Sequence, residues 1–151
     1  MPETRADDAV VIERTFPVAA ATVWSMWTDP DHFAAWYGPD GVTVRVAEMD
    51  VRPGGPRRVA MAMTTPDGVH EMWFAGEHRV VEPDQRLVYT EVMVDADGNE
   101  TSPSTVVEVT LEDLSGTTRM VLTHRGIPAD SPGAAGWNMA LDKLAAALGA
   151  R

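Results

Sequence analysis

The sequence predicts an α+β fold: a curved antiparallel sheet wrapped round a long C-terminal helix, in the order β-α-α-β6-α. Three observations predict it. From Val42 onward, six runs with strand-like alternation follow one another, separated by short breaks rich in Pro, Gly and Asp. Two short helical patterns stand between an isolated first strand and those six. The chain then closes on one amphipathic helix, which is available to cover the apolar face of such a sheet.

Taken in order, residues 1–8 are polar and expected to be flexible, leaving 9–151 as a single domain. AVVIERTF (9–16) is rich in β-branched residues and reads as a strand. In AAATVWSMWTD, Val23, Trp24 and Trp27 share one helical face. Asp29-Pro30 is an N-cap followed by proline at the first helical position, so a second helix starts there. It would carry Phe33 and Trp36 on one face and stop at Gly38-Pro39. The six strands are expected at 42–51, 57–64, 70–81, 86–94, 105–113 and 117–125. In the final helix Ser131 caps and Pro132 takes the first position, and Trp137, Leu141, Leu144 and Leu148 line one face.

The hairpin RRVAMAMTTPDGVHEMWFAG (57–76) raises the functional question. Asp67-Gly68 is a type I′ turn signal. It would pair Pro66 with Val69, set Met63 against Met72, Met61 against Phe74 and Val59 against Gly76, and gather these on one face. A slip of one residue would face the methionines with Glu71 and Trp73, so the coherent apolar face selects this register. Methionines suit a surface that adapts to a ligand, and they equally suit a packed core. By the same alternation Met120, Leu122 and His124 point inward, as does Glu91 if Leu87 and Tyr89 do. An imidazole and a carboxylate in an apolar cup could orient a ligand or exchange protons with it. The alternative is a rim histidine bonded to a backbone carbonyl. Leu141 would face the same space from the helix.

Composition narrows the classes. The length, with 44% hydrophobic and 23% charged residues, suits one globular domain. The net charge of −11 repels DNA, RNA and anionic membrane surfaces. The one cationic cluster, Arg52, Arg57 and Arg58, reads as a solvated turn. The start, MPETRADDAV, lacks a basic region followed by an apolar one, and no apolar run reaches membrane-spanning length, so the expected location is cytoplasmic. The absence of cysteine excludes disulfides and thiolate chemistry.

Other motifs fail on spacing. DADGNE (95–100) has its glycine too early for a calcium loop. His32, His70, His78 and His124 show no metal-ligand spacing. The glycine pair of RPGGPRR lacks the lysine of a phosphate loop, no serine sits in a nucleophile elbow, and no nicotinamide or flavin fingerprint occurs. No metal and no cofactor is expected.

Several stretches together resemble a known family. VWSMWTDPDHFAAWYGP (23–39), the GG of DVRPGG, PDG (66–68), FAGEHRVVEPDQRLVYT (74–90), LTHRGIP (122–128) and Gly136-Trp137 with its following leucines span Val11 to Leu148. They resemble the START-like helix-grip superfamily (SRPBCC), and more narrowly the homologues of the activator of heat-shock protein 90 ATPase. The resemblance implies a seven-stranded sheet gripping the last helix, two short helices closing one end, and a hollow that takes lipid- or polyketide-like molecules. It adds Trp36, Tyr89 and Trp137 to the candidate ligand contacts Val59, Met61, Met63, Met72, Phe74, Glu91, Met120, Leu122, His124 and Leu141. Relatives often carry an aromatic residue near position 91, so Glu91 implies a more polar pocket that favours a basic or hydroxylated ligand. Eukaryotic chaperone activators add a further N-terminal domain, for which this length leaves no room, so chaperone activation is not expected.

The leading expectation is therefore a START-like binding protein for a small hydrophobic ligand. One alternative is an aromatase, cyclase or hydrolase using His124 and Glu91. The other is an interaction module, a homodimer included, anchored by an outward-facing Trp73.

Overall fold

The computed structural model describes residues 8–127 and 132–149. Ten elements follow in chain order: β1 (Ala9–Phe16), α1 (Ala20–Thr28), α2 (Pro30–Ala34), β2 (Val42–Met49), β3 (Pro56–Thr65), β4 (Gly68–Glu82), β5 (Arg86–Val94), β6 (Thr105–Asp113), β7 (Thr118–Arg125) and α3 (Pro132–Ala147). The strands form one seven-stranded antiparallel sheet in the order β1-β7-β6-β5-β4-β3-β2. The meander is broken only where β1 joins β7. The sheet curves round α3, as the strand and helix patterns predict.

Local chemistry explains the elements. The Asp29 side chain accepts from the backbone N–H groups of Asp31 and His32 at 2.9 and 3.3 Å, so the predicted cap of α2 is in place. α2 is shorter than expected, because after Ala34 the chain turns and Trp36 lies beyond the helix. The expected Ser131 cap, and residues 1–7 of the segment expected to be flexible, lie outside the described residues. Asp8 is within them, and its carbonyl accepts from Gly126 N at 2.8 Å.

The opening hairpin forms with a different register from the predicted one. Thr65 pairs with Gly68, so Met61 faces Met72, Val59 faces Phe74 and Met63 faces His70. The two-residue loop is Pro66-Asp67. A type I′ turn at Asp67-Gly68 needs positive φ at Asp67, whereas only Gly68 adopts it, at +122°. Proline at the first loop position and glycine after the second instead match a type I arrangement. The shift moves each partner by two residues, so Val59, Met61 and Met63 keep the predicted face.

The core lies between the concave sheet face and α3, where Trp137, Ala140, Leu141, Leu144 and Leu148 are all buried. Arg14 on β1 reaches α3 at both Asp142 and Asn138, at 3.0 and 3.1 Å. At the opposite rim β2 is bulged: its pairing with β3 skips a residue between Val44 and Val46, at the exposed Arg45. Among the described residues no helix is long and apolar enough to cross a membrane.

Candidate functional site

One end of the space beneath α3 is filled by aromatic rings. Trp27 of α1 meets Trp36 edge-on at 4.7 Å and lies 6.1 Å from Trp137. Phe33 of α2 packs on Tyr37 at 4.1 Å, and Tyr37 meets Trp137 at 5.6 Å. The other end is open. A hollow of about 530 Å³ lies between the start of α3 and the sheet. Its apolar wall includes Met61, Met72, Phe74, Met93 and Trp137, and its polar side chains include Tyr37, Glu91 and His124. A second recess of similar volume adjoins it through Phe74, Glu91, Met93 and His124, and opens between Ser102–Thr105 and Gly126-Ile127.

The candidate ligand contacts separate into two groups. Met61, Met72, Phe74, Glu91, His124 and Trp137 come together on the wall. Val59, Met120, Leu122, Leu141 and Trp36 are fully buried in the core and border neither recess, Tyr89 is buried below the wall, and Met63 is only partly buried against the core.

Glu91 anchors a polar network that the sequence reading missed. Its Oε2 accepts from Arg57 Nη1 and from Tyr37 Oη, each at 3.0 Å. Since the Tyr37 proton is committed to the carboxylate, the Tyr89 hydroxyl, 3.0 Å away, must donate to Tyr37. The Arg57 guanidinium lies 3.9 Å from the centre of the Tyr89 ring. Arg57 is therefore not part of a solvated turn: it is 2% exposed, and its Nη2 is buried without a hydrogen-bond partner. Burial opposes its charge, but Tyr89 and Glu91 outweigh that and hold it protonated. Burial also pushes both phenols, Tyr37 and Tyr89, above their ordinary range, so they remain neutral donors.

The signals for the missed residues were local. Arg57 shares the parity of Val59, Met61 and Met63 on β3, and Tyr37 falls four residues after Phe33. Gly38, with φ +92°, carries the chain past the hollow, and a Cβ there would stand 2.8 Å from Met61 Sδ.

His124 sits in a second chain of bonds. Trp137 Nε1 donates to His124 Nδ1 at 2.9 Å, so the ring proton is on Nε2, which donates to Thr105 Oγ1 at 2.8 Å. Thr105 passes its own proton to the Glu91 carbonyl at 3.0 Å. The expected alternative of a rim histidine bonded to a backbone carbonyl does not apply. A backbone-carbonyl bond is made instead by the fully buried His78, whose Nδ1 bonds Gly55 O at 3.1 Å. Trp73, expected on the outer face as a free anchor, is half-buried under Arg58, whose guanidinium lies 4.3 Å from the ring.

Burial lowers the pKa of both His78 and His124, in the latter case against the pull of Glu91. A lowered folded pKa means that the stability linked to these rings is complete above the unfolded value of about 6.5 and declines as pH falls below it. Unfolding free energy should therefore fall in a window that opens below about pH 6.5 and closes where the folded rings themselves bind protons, by up to about 1.4 kcal/mol per pH unit for each ring. Glu108, held low by Arg86 and Arg125, acts only in the carboxylate range below this window. Urea titrations across the window should show a shallower slope in His124→Gln, and an unchanged slope would remove the histidine from the account.

Among the described residues no group of three or more His, Asp or Glu side chains could hold a metal ion. A family profile described as Activator of Hsp90 ATPase homolog 1-like protein matches residues 17–149. No protein with a curated description matches. Among solved structures, a protein from Chromobacterium violaceum is 26% identical with a TM-score of 0.79, over 93% of this chain and 97% of that one. The AHSA1 protein from Silicibacter pomeroyi is 27% identical with a TM-score of 0.76, over the same shares. A protein from Rhodobacter sphaeroides, at 21% identity and a TM-score of 0.77 over 98% of this chain and 95% of that one, shares the fold.

Proposed function

Because the chain belongs to the family of Activator of Hsp90 ATPase homolog 1-like proteins, we propose that residues 9–151 act as one small-molecule binding domain that holds an apolar or aromatic ligand beneath the start of α3. The observation that carries this reading is the hollow of about 530 Å³, a size typical of ligand sites, with mostly apolar walls and a few converging polar groups. The flexible chains of Met61, Met72 and Met93 would let the wall mould to its occupant. Gly136 supports it too: a glycine inside a helix is costly, and here it leaves the wall open beside Pro39.

Binding is favoured over proton-transfer catalysis by His124, because both its ring nitrogens are engaged by Trp137 and Thr105. A partner-protein role anchored on Trp73 loses support from the arginine that covers it. The net charge of −11 supports a role away from nucleic acids and anionic membrane surfaces.

Native mass spectrometry and thermal unfolding with a panel of aromatic and fatty compounds test the reading. A binder at a hundred times its Kd should add about 2.7 kcal/mol of stability. Gly136→Ala should stabilise the free protein by about 1 kcal/mol, since the new Cβ meets only Pro39 Cβ, at 3.9 Å, and helix propensity improves. Gly136→Phe should abolish binding by occupying the hollow. If no compound binds more tightly than about millimolar, a free energy near −4 kcal/mol, the reading fails.

A further inference from the structure

The polar groups of the hollow have already allocated their hydrogen-bonding capacity, and what remains specifies a ligand. His124 gives its proton to Thr105 and its lone pair to Trp137. Tyr37 gives its proton to Glu91, and Glu91 Oε2 already accepts two bonds. Glu91 Oε1 has no protein partner among the described residues, and Glu91 borders both recesses with its side chain 11% exposed. The site therefore offers an oriented acceptor and has no uncommitted donor on these side chains. Its charge is already balanced, because Arg57 is bonded to the same carboxylate. An ammonium group at Oε1 would share a carboxylate whose charge Arg57 already offsets, and would give up hydration against the mostly apolar wall, a cost that a neutral hydroxyl largely avoids.

We infer that the hollow selects uncharged aromatic compounds bearing a hydroxyl group, which donates to Glu91 Oε1, over bare hydrocarbons and over organic cations of the same shape. This rests on the ligand-binding reading of the same hollow. Tyr37 and Arg57 are positioning residues here: they fix Oε2, and so aim Oε1 into the open space.

Calorimetric titration of the full chain with 2-naphthol, 2-methylnaphthalene and 2-naphthylmethylammonium separates the possibilities. The naphthol should bind about tenfold more tightly than the hydrocarbon, the usual scale for a bond to a charged acceptor, and more tightly than the cation. In the charge-free double variant Arg57→Met with Glu91→Leu, the hydrocarbon should still bind and the preference for naphthol should vanish. Equal binding of naphthol and hydrocarbon by the native protein, or a cation that binds as well as the naphthol, overturns this inference and leaves the binding reading intact. A preference that survives in the double variant also overturns it. Failure of all three probes, with no binder in the wider panel, overturns the binding reading and this inference together.

Discussion

Glu91→Leu is expected to lower the unfolding free energy by about 3–5 kcal/mol, the usual cost of breaking a buried ion pair by removing one partner. The Arg57 side chain is 1% exposed, against 11% for Glu91, so the guanidinium has almost no access to water when the carboxylate is gone. It cannot shed its proton either. Arg57→Met should cost less than Glu91→Leu, because the carboxylate left behind touches the hollow, where water can reach it, and can bind a proton. The double variant should come within about 1–2 kcal/mol of the native protein, since an apolar pair of similar volume is often neutral beside a buried ion pair. Urea unfolding of the four proteins completes a double-mutant cycle. Single-variant costs that simply sum to the cost of the double would show that the pair contributes no coupling.

The second large effect is expected at Gly76→Ala. Gly76 lies on β4 between the pairs Ala75–Val92 and His78–Tyr89, where β4 passes very close to β5. A Cβ there would lie 1.9 Å from the Thr90 carbonyl oxygen and 2.7 Å from its carbon, both of them backbone atoms. No rotamer change relieves such a contact, so the strands must part, at a cost of about 3 kcal/mol or more. The Glu77 N–H bonds Thr90 Oγ1 at 3.0 Å in this close approach and would lose that partner. A denaturation midpoint within experimental scatter of the native value would contradict the contact.

The fold was largely legible because its signals are local and repeated. Alternating runs broken by RPGGP, EPDQ and SG leave little choice but a meander, and the leucine spacing after Trp137 specifies the covering helix. The hairpin register was less legible, because PDG supports two turn solutions and the choice depends on the φ of Asp67. For the candidate site, alternation reports which face a side chain takes but not how far along the strand it sits. Val59, Met120 and Leu122 share the concave face with the hollow, yet they are packed core, while Met61, Phe74 and Glu91 border open volume. Arg57 was hidden by its neighbours: grouped with Arg52 and Arg58 it reads as a charged turn, whereas counted from Val59 it points inward. The bond between Tyr37 and Glu91 joins residues 54 positions apart, and no local pattern announces a contact of that range.

The bulge at Arg45 has a consequence for how copies of the chain behave when crowded together. A seven-stranded sheet that does not close on itself leaves unpaired backbone groups along its outermost strands, and these can recruit a neighbour into a growing ribbon. On the β2 side an approaching strand meets a ladder interrupted by the bulge at Arg45, whose side chain turns back over β3 to Glu71 at 3.2 Å. Flat, in-register stacking cannot propagate across that kink, so this rim is protected against fibre-like growth by its own geometry.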